Sequence, residues 1–360
     1  MVRRKSTSKF FFGPCANLRA RTLVTIVAMD KFPTFSIGVP AFNQAEYLEE
    51  TIESLLEQTR PADEIVISDH FSTDNTPAII EKYARKGKVR GVMPPVGSNF
   101  GAQCQYTLSC LSGDWVTLFS SDDIAKPQFC EVLMRGAARR KDAVLVRAAW
   151  ENIDLTGAVL NKIYLLSVQK VTLPPQTLLE QKHGPKACFA AFSVKRDILM
   201  NSGGYPLNME SFGDWPMYMQ LAPFGAFIYE DEIIAQYRIH PSDKYRQRIA
   251  MWLRDEERMF YEVMPLAAKR AGMKDLSWID RASRKNFLKQ LAAAVEHLSL
   301  EERVKLAPQF ASWAARVHEE KKLALFAAGK QIQRPLEWME RAKDCLRPIA
   351  HKLHSGLRRG

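Results

Sequence analysis

Trp115-Val116-Thr117-Leu118-Phe119-Ser120-Ser121-Asp122-Asp123 is an apolar run with the texture of a buried strand that stops at two hydroxyls and two carboxylates. Open α/β sheets bind their ligands outside the carboxyl ends of the strands, so acids placed there face a binding crevice. Two adjacent carboxylates also suit a hard divalent cation, which takes oxygen ligands and shares them with substrate phosphates. The same residues fit a strand followed by an Asp-rich helix cap. The surrounding chain has to decide between them.

Upstream, Phe35-Ser36-Ile37-Gly38-Val39-Pro40 reads as a strand closed by proline. A helix follows from Ala45 or Glu46 to Thr59, with Leu48, Ile52, Leu55 and Leu56 on one face, and Pro61 ends it. Glu64 to Ser68 is a second buried strand that ends at Asp69. Ser72-Thr73-Asp74-Asn75 supplies turn and capping residues for a helix from about Pro77 to Lys86. Lys88–Met93 reads as a strand and Gly101–Leu111 as a helix. Downstream, a helix over Pro127–Arg140 precedes a strand over Ala143–Ala149. This alternation with short links predicts a doubly wound, mostly parallel α/β sheet. No Gly-x-Gly-x-x-Gly follows the first strand and no Gly-Lys-Ser/Thr loop occurs, which disfavours a dinucleotide dehydrogenase or a P-loop nucleotidase.

From about residue 246 the texture becomes helical. Arg246–Ala271, Trp278–Leu298, Glu301–Ala327 and Pro335–Leu353 are the expected helices. The expected organisation is a basic extension over 1–33 outside the fold, an α/β domain over 34–245 and a helical C-terminal region over 246–360. The stretch from Glu151 to Gly204 carries no reliable pattern.

The formal charge of +11 sits at the ends: residues 1–29 and 334–360 together carry +10 of it. A nearly neutral body argues against a basic groove for nucleic acid. Six cysteines without metal spacing or a Cys-x-x-Cys pair favour free thiols in a reducing, cytoplasmic compartment. No apolar run reaches the roughly 18–20 residues of a membrane span. The tail, with Trp338, Leu346, Ile349 and Leu353 among its basic residues, would permit peripheral contact with the inner face of a membrane, or would pack against the domain.

Three acidic positions stand out: Asp69, the Asp122/Asp123 pair, and Asp214 in Ser211-Phe212-Gly213-Asp214-Trp215. Tyr237-Arg238-Ile239-His240 is a fourth polar cluster. With Val39 to Leu48, Ile67 to Thr76 and Gly113 to Asp123, these segments resemble the family 2 glycosyltransferases, inverting enzymes of the GT-A fold, over about residues 34–245. The resemblance implies a nucleotide-sugar donor held by Pro40, Ala41, Asn43, Asp69, Ser121, Asp122 and Arg238. It implies Mg²⁺ or Mn²⁺ on Asp122, with His240 as a further metal ligand or a structural histidine, and Asp214 as the general base. Glu210 is the nearest alternative base. The implied acceptor is a glycan or a lipid-linked glycan, in surface polysaccharide assembly. Two positions depart from the family pattern: Ser120 stands where the first acid of Asp-x-Asp is usual, and Gly213 where the first acid of a Glu-Asp pair is usual. Ser120 is expected to reach a metal weakly or through water, Asp123 to cap the following helix or to support the site from behind, and Asn43 to line the site or cap a helix. The departures keep a catalytically idle nucleotide-sugar-binding or scaffold protein in view. A nucleotidyltransferase lacks support, since Pro40-Ala41-Phe42-Asn43 is not a Gly-rich triphosphate loop.

Overall fold

The computed structural model describes residues 33–209, 212–240 and 243–328. Ten strands form one sheet: β1 Phe35–Ala41, β2 Glu64–Asp69, β3 Arg90–Val92, β4 Trp115–Leu118, β5 Ile124–Ala125, β6 Ala143–Ile153, β7 Val159–Ile163, β8 Val171–Thr172, β9 Phe192–Lys195 and β10 Ala226–Arg238. Their order is β3-β2-β1-β4-β9-β6-β10-β5, with β7 beside β6 and β8 beside β10. The pairs β1/β2, β1/β4, β2/β3 and β6/β10 are parallel, and β9 runs antiparallel between β4 and β6. The mostly parallel α/β sheet expected from the alternation is the one observed.

Helices cover both faces. On one side lie α1 (Leu48–Leu56), α2 (Thr76–Arg85) and α4 (Phe129–Ala138), which pack on Ile37, Val39, Ile65 and Ile67. On the other lie α3 (Phe100–Ser109), α6 (Arg196–Ser202) and α7 (Asp214–Leu221), with the short α5 (Gln176–Leu179) nearby in sequence. The period-2 alternation of β2 divides its side chains between these faces, Val66 to one and Ile65 and Ile67 to the other. Gly38 of β1 lets α3 approach closely, because a Cβ there would lie 2.7 Å from Thr107 Cγ2.

The C-terminal helices are α8 (Asp243–Arg258), α9 (Met264–Arg270), α10 (Ser277–His297), α11 (Leu300–Arg316) and α12 (Glu320–Ala327). They continue the second core without a break: Trp215 of α7 meets Phe260 at 5.9 Å, and Phe260 meets Trp313 at 6.1 Å. The expected helix over 246–271 contains a π-helical turn, Met259–Val263, just ahead of Pro265. Proline has no N–H to donate and its ring crowds the preceding turn, and the widened turn accommodates both.

The expected single helix over 301–327 is two. The chain reverses at His318 (φ 57°), which carries Phe326 back onto Phe310 at 5.7 Å. Burying that pair outweighs the helix propensity of the link. The helix expected over Pro335–Leu353, the basic tail and the N-terminal extension lie outside the described residues. Among the described residues, no helix is long and apolar enough to cross a membrane.

Candidate active site

The parallel strands β1, β2 and β4 bring their carboxyl ends to one edge, and the loops that follow are stitched together. Ala41 pairs with Asp69 across β1 and β2, and His70 N–H donates to the Ala41 carbonyl at 2.9 Å. Asn43 sits in the left-handed region (φ 49°), where asparagine is tolerated. Its Oδ1 accepts from Thr73 N–H at 2.9 Å and its own N–H donates to Ser72 Oγ at 2.8 Å. Asn43 is therefore a cross-loop tie and not a helix cap; α1 begins beyond Tyr47 with no side-chain cap. Asp74 closes the same seam, accepting from Ala45 N–H and Thr76 N–H, both at 2.9 Å.

Asp69 is buried at this edge and holds Ser72 N–H loosely, at 3.2 and 3.4 Å. Pro40 and Ala41 are buried in β1 beside it. Gln103 on α3 anchors both strand ends, its Nε2 donating to the carbonyls of Ala41 (3.0 Å) and Ser68 (2.9 Å). Sequence reading missed Gln103; its signal was an amide on the face of α3 that carries Cys104 and Thr107. The rings of Phe42 and Phe71, both exposed, flank His70 at 5.8 and 6.0 Å and form an aromatic rim beside Asp69. Phe71 has φ 58°, an uncommon conformation for a bulky residue that places backbone strain beside this acid.

The acids after β4 diverge. Asp122 stays partly open to solvent, and its Oδ2 meets His240 Nε2 at 2.6 Å. Asp123 is fully buried; its Oδ1 accepts from Arg238 N–H at 2.8 Å and its Oδ2 lacks a partner. Burial first and the Asp122 charge second push the Asp123 carboxyl well above the ordinary range, while Arg238 N–H and the Ser120 hydroxyl pull the other way. The cap expectation fails for Asp123: α4 starts at Phe129 behind Gln128, and Asp123 instead secures the end of β10. Ser120, expected to reach toward a metal, accepts Asp123 N–H on its carbonyl at 3.4 Å, and its hydroxyl lies on the Asp123 side. Ser121 is buried between these positions.

Arg238 is enclosed. Its guanidinium donates to the carbonyls of Asp122 (2.8 Å), Asp154 (3.2 Å) and Leu155 (3.1 Å) and to Glu50 (2.8 Å), and it lies 4.5 Å from the Tyr47 ring centroid. These partners give Arg238 the task of fixing the main chain of Asp122. Arg238→Met is expected to lower unfolding stability by about 2–3 kcal/mol, the size of lost hydrogen bonds to a charged donor plus stranded carbonyls. It should also raise the donor KM. Urea unfolding and donor titration together check this; unchanged values in both would show the contacts to be idle.

Asp214 is the first residue of α7 and is partly exposed at its N-terminus. Desolvation raises its pKa above the ordinary 3.8, against the N–H groups of Trp215 and Asp214 itself, which lower it. Asp214 belongs to the same neighbourhood as the strand-end acids. Tyr237 of β10 feels the charges of Asp123, Asp122 and Asp214, which add to burial in raising its phenol. Gly213 cannot carry a side chain, because a Cβ there would lie 2.2 Å from Tyr205 Cε1. That contact is the physical reason for the missing first acid. Glu210 lies outside the described residues.

Two of the residues expected at a cation, Asp122 and His240, stand side by side. Mg²⁺ and Mn²⁺ take one or two protein ligands and complete their shells with phosphate and water. Asp122 and His240 supply a carboxylate and an imidazole at contact distance. Among the described residues, no group of three or more His, Cys, Asp or Glu side chains forms a self-sufficient cage.

Residues 36–202 match the sequence model described as "Glycosyl transferase family 2". A hyaluronan synthase from Pasteurella multocida is 26% identical over 216 residues, 59% of this chain and 21% of that protein. The glycosyltransferase GlyG from Streptococcus pneumoniae is 32% identical over 120 residues, 33% of this chain and 40% of that protein. The chain spans about a fifth of the length of the hyaluronan and chondroitin synthases it matches. Among solved structures, S. aureus TarS superimposes with a TM-score of 0.59 at 16% identity, covering 87% of this chain and 53% of that one. Its 1–349 fragment in complex with UDP-GlcNAc gives 0.55 at 15% identity, covering 79% and 81%. At these identities the likeness is one of fold, of the GT-A type. The ordered strand-end acids, the sheet and the matched residues 36–202 together make this chain similar to glycosyl transferase family 2.

Proposed function

We propose that the protein transfers a sugar from a nucleotide-sugar donor to a hydroxyl of a glycan or lipid-linked glycan acceptor, with inversion at the anomeric carbon and with help from Mg²⁺ or Mn²⁺. One observation supports the reading: acids of unlike environment share one neighbourhood around Tyr237, a partly open Asp122 paired with His240 and a desolvated Asp214 at the start of α7. The polysaccharide synthases among the relatives support a glycan acceptor.

In this reading Asp69 accepts a hydrogen bond from the base or ribose, and the Pro40–Asn43 edge and Ser121 shape the donor's bed. The Phe42 and Phe71 rings offer the base an apolar face. Asp122 and His240 would hold the cation, which when bound offsets negative charge on the departing nucleoside diphosphate. Arg238 fixes Asp122 from behind. Asp214 accepts the acceptor hydroxyl proton as that oxygen attacks, which suits a carboxylate made more basic by desolvation. Inversion follows from a single displacement with the base on the acceptor side.

A panel of nucleotide sugars with Mn²⁺ and glycan acceptors, assayed for nucleoside diphosphate release, tests the reading. Acceptor-dependent release with one donor is the expected result. Donor binding without turnover across the acceptor panel would favour an idle binding module, and consumption of nucleoside triphosphate would favour nucleotidyl transfer.

A further inference from the structure

We propose that Tyr205 is a positioning residue for Asp214, holding the start of α7 so that the carboxylate faces the acceptor in one orientation. This rests on the reading of Asp214 as the base.

The geometry is specific. Tyr205 is 2% exposed and reaches across to the residue just ahead of Asp214. Its hydroxyl lies against Gly213 N–H and the buried Cys104 sulfur on α3. Its ring fills the place of a side chain at 213: Cε1, Cζ and the hydroxyl oxygen lie 2.2, 2.3 and 2.5 Å from where a Cβ would stand. Gly213 is the N-cap residue of α7 and has no cap side chain of its own, and the phenol packs on it from outside. Tyr205 is held in turn by its N–H, which donates to Gln105 Oε1 at 2.6 Å. Gln105 of α3 thus anchors the tyrosine, and the tyrosine packs on the residue that precedes the base.

The Tyr205 hydroxyl also shares the electrostatic surroundings of Asp214. The titratable groups that share electrostatic contact with Asp214 are Tyr205, Tyr218, Cys188 and Tyr237, and burial keeps all four neutral. Among the described residues no cation joins them to pull the carboxylate down. Its basicity therefore depends on this apolar packing, and a side chain that maintains the packing tunes the base.

Tyr205→Phe keeps the ring and removes the hydroxyl that lies against Gly213, leaving a gap beside the start of α7. The expected result is a tenfold or greater fall in kcat, an unchanged donor KM, and an acidic limb of the kcat profile displaced to lower pH as water reaches Asp214. A purely structural role would reduce the folded fraction and leave the limb in place, so a fall in kcat with a fixed limb overturns the proposal, as does an unchanged kcat. Gly213→Ala provides the second variant, since its methyl must displace the ring. It should move the limb in the same direction, and a fixed limb there counts against the proposal too. Asp214→Asn separates the two layers of inference. If that variant retains full turnover, the assignment of the base has failed; if it is inactive while Tyr205→Phe behaves as wild type, only the positioning role has failed.

Discussion

Asp214→Asn is expected to reduce kcat by roughly 10²–10⁴-fold, the range contributed by a general base, with the donor KM close to its original value. Asparagine keeps the shape of aspartate and can still meet the N–H groups of α7, so the helix start is preserved. What it loses is the capacity to take a proton. The residue also predicts the pH profile. Its folded-state pKa is raised, by burial first, above the ordinary carboxylate value of 3.8. The rate should therefore rise with pH through that elevated value, because the deprotonated form is the active one. The stability consequence has the opposite sense. A carboxyl whose pKa is higher in the folded state binds more protons there, so its contribution favours folding in acid and is lost as pH rises through the window between the two values. Activity and stability should diverge across that window in the wild type, and Asp214→Asn should flatten this contribution to both. Steady-state rates and thermal midpoints over the same pH series check it. A variant that keeps more than a tenth of wild-type kcat with its pH dependence intact removes Asp214 from the role.

The elements legible in the sequence are those whose hydrophobic pattern reports their own burial. β1, β2 and β4 read as apolar runs because both of their faces are covered, and α1 reads through Leu48, Ile52 and Leu55. The stretch from Glu151 to Gly204 was opaque because its elements are short and defined by partners far away. β8 is two residues long, and β9 exists by inserting antiparallel between β4 and β6. Arg147 and Glu180 form a buried ion pair at 2.6 Å that joins β6 to the residue after α5, a contact no local pattern announces. The site divides in the same way. Asp69, Asp122 and Asp214 stand at element ends, where a carboxylate has an evident use. Asp123 looked equivalent to Asp122 in the sequence, and a one-residue step along the turn sends it into the core instead. Arg238 carried the signature of an anion ligand, but its partners, Glu50 and three carbonyls, come from segments 83 to 188 residues away in the chain.

The second large effect is expected for Asp122→Ala, and the structure makes it an unusually clean substitution. Arg238 holds Asp122 by its main-chain carbonyl at 2.8 Å, which alanine retains, so the change removes the carboxylate and leaves the turn in place. His240 loses its partner at 2.6 Å but keeps its place at the end of β10. If Asp122 supplies the carboxylate of the cation site, its loss removes charge stabilisation worth several kcal/mol at the leaving group, a fall of about 10²–10³-fold in kcat/KM. Raising Mn²⁺ should recover part of that loss, because His240 and the donor diphosphate remain as ligands. Folding stability should hold or improve, since buried Asp123 no longer faces a neighbouring negative charge and its raised pKa should move down. His240→Gln should cost less than Asp122→Ala, a neutral ligand contributing less charge than a carboxylate. The decisive measurement is Mn²⁺ titration of nucleoside diphosphate release in wild type and both variants, alongside thermal midpoints. Equal loss in Asp122→Ala at all Mn²⁺ concentrations, accompanied by a lower midpoint, would mean that the carboxylate supports the fold and binds no cation.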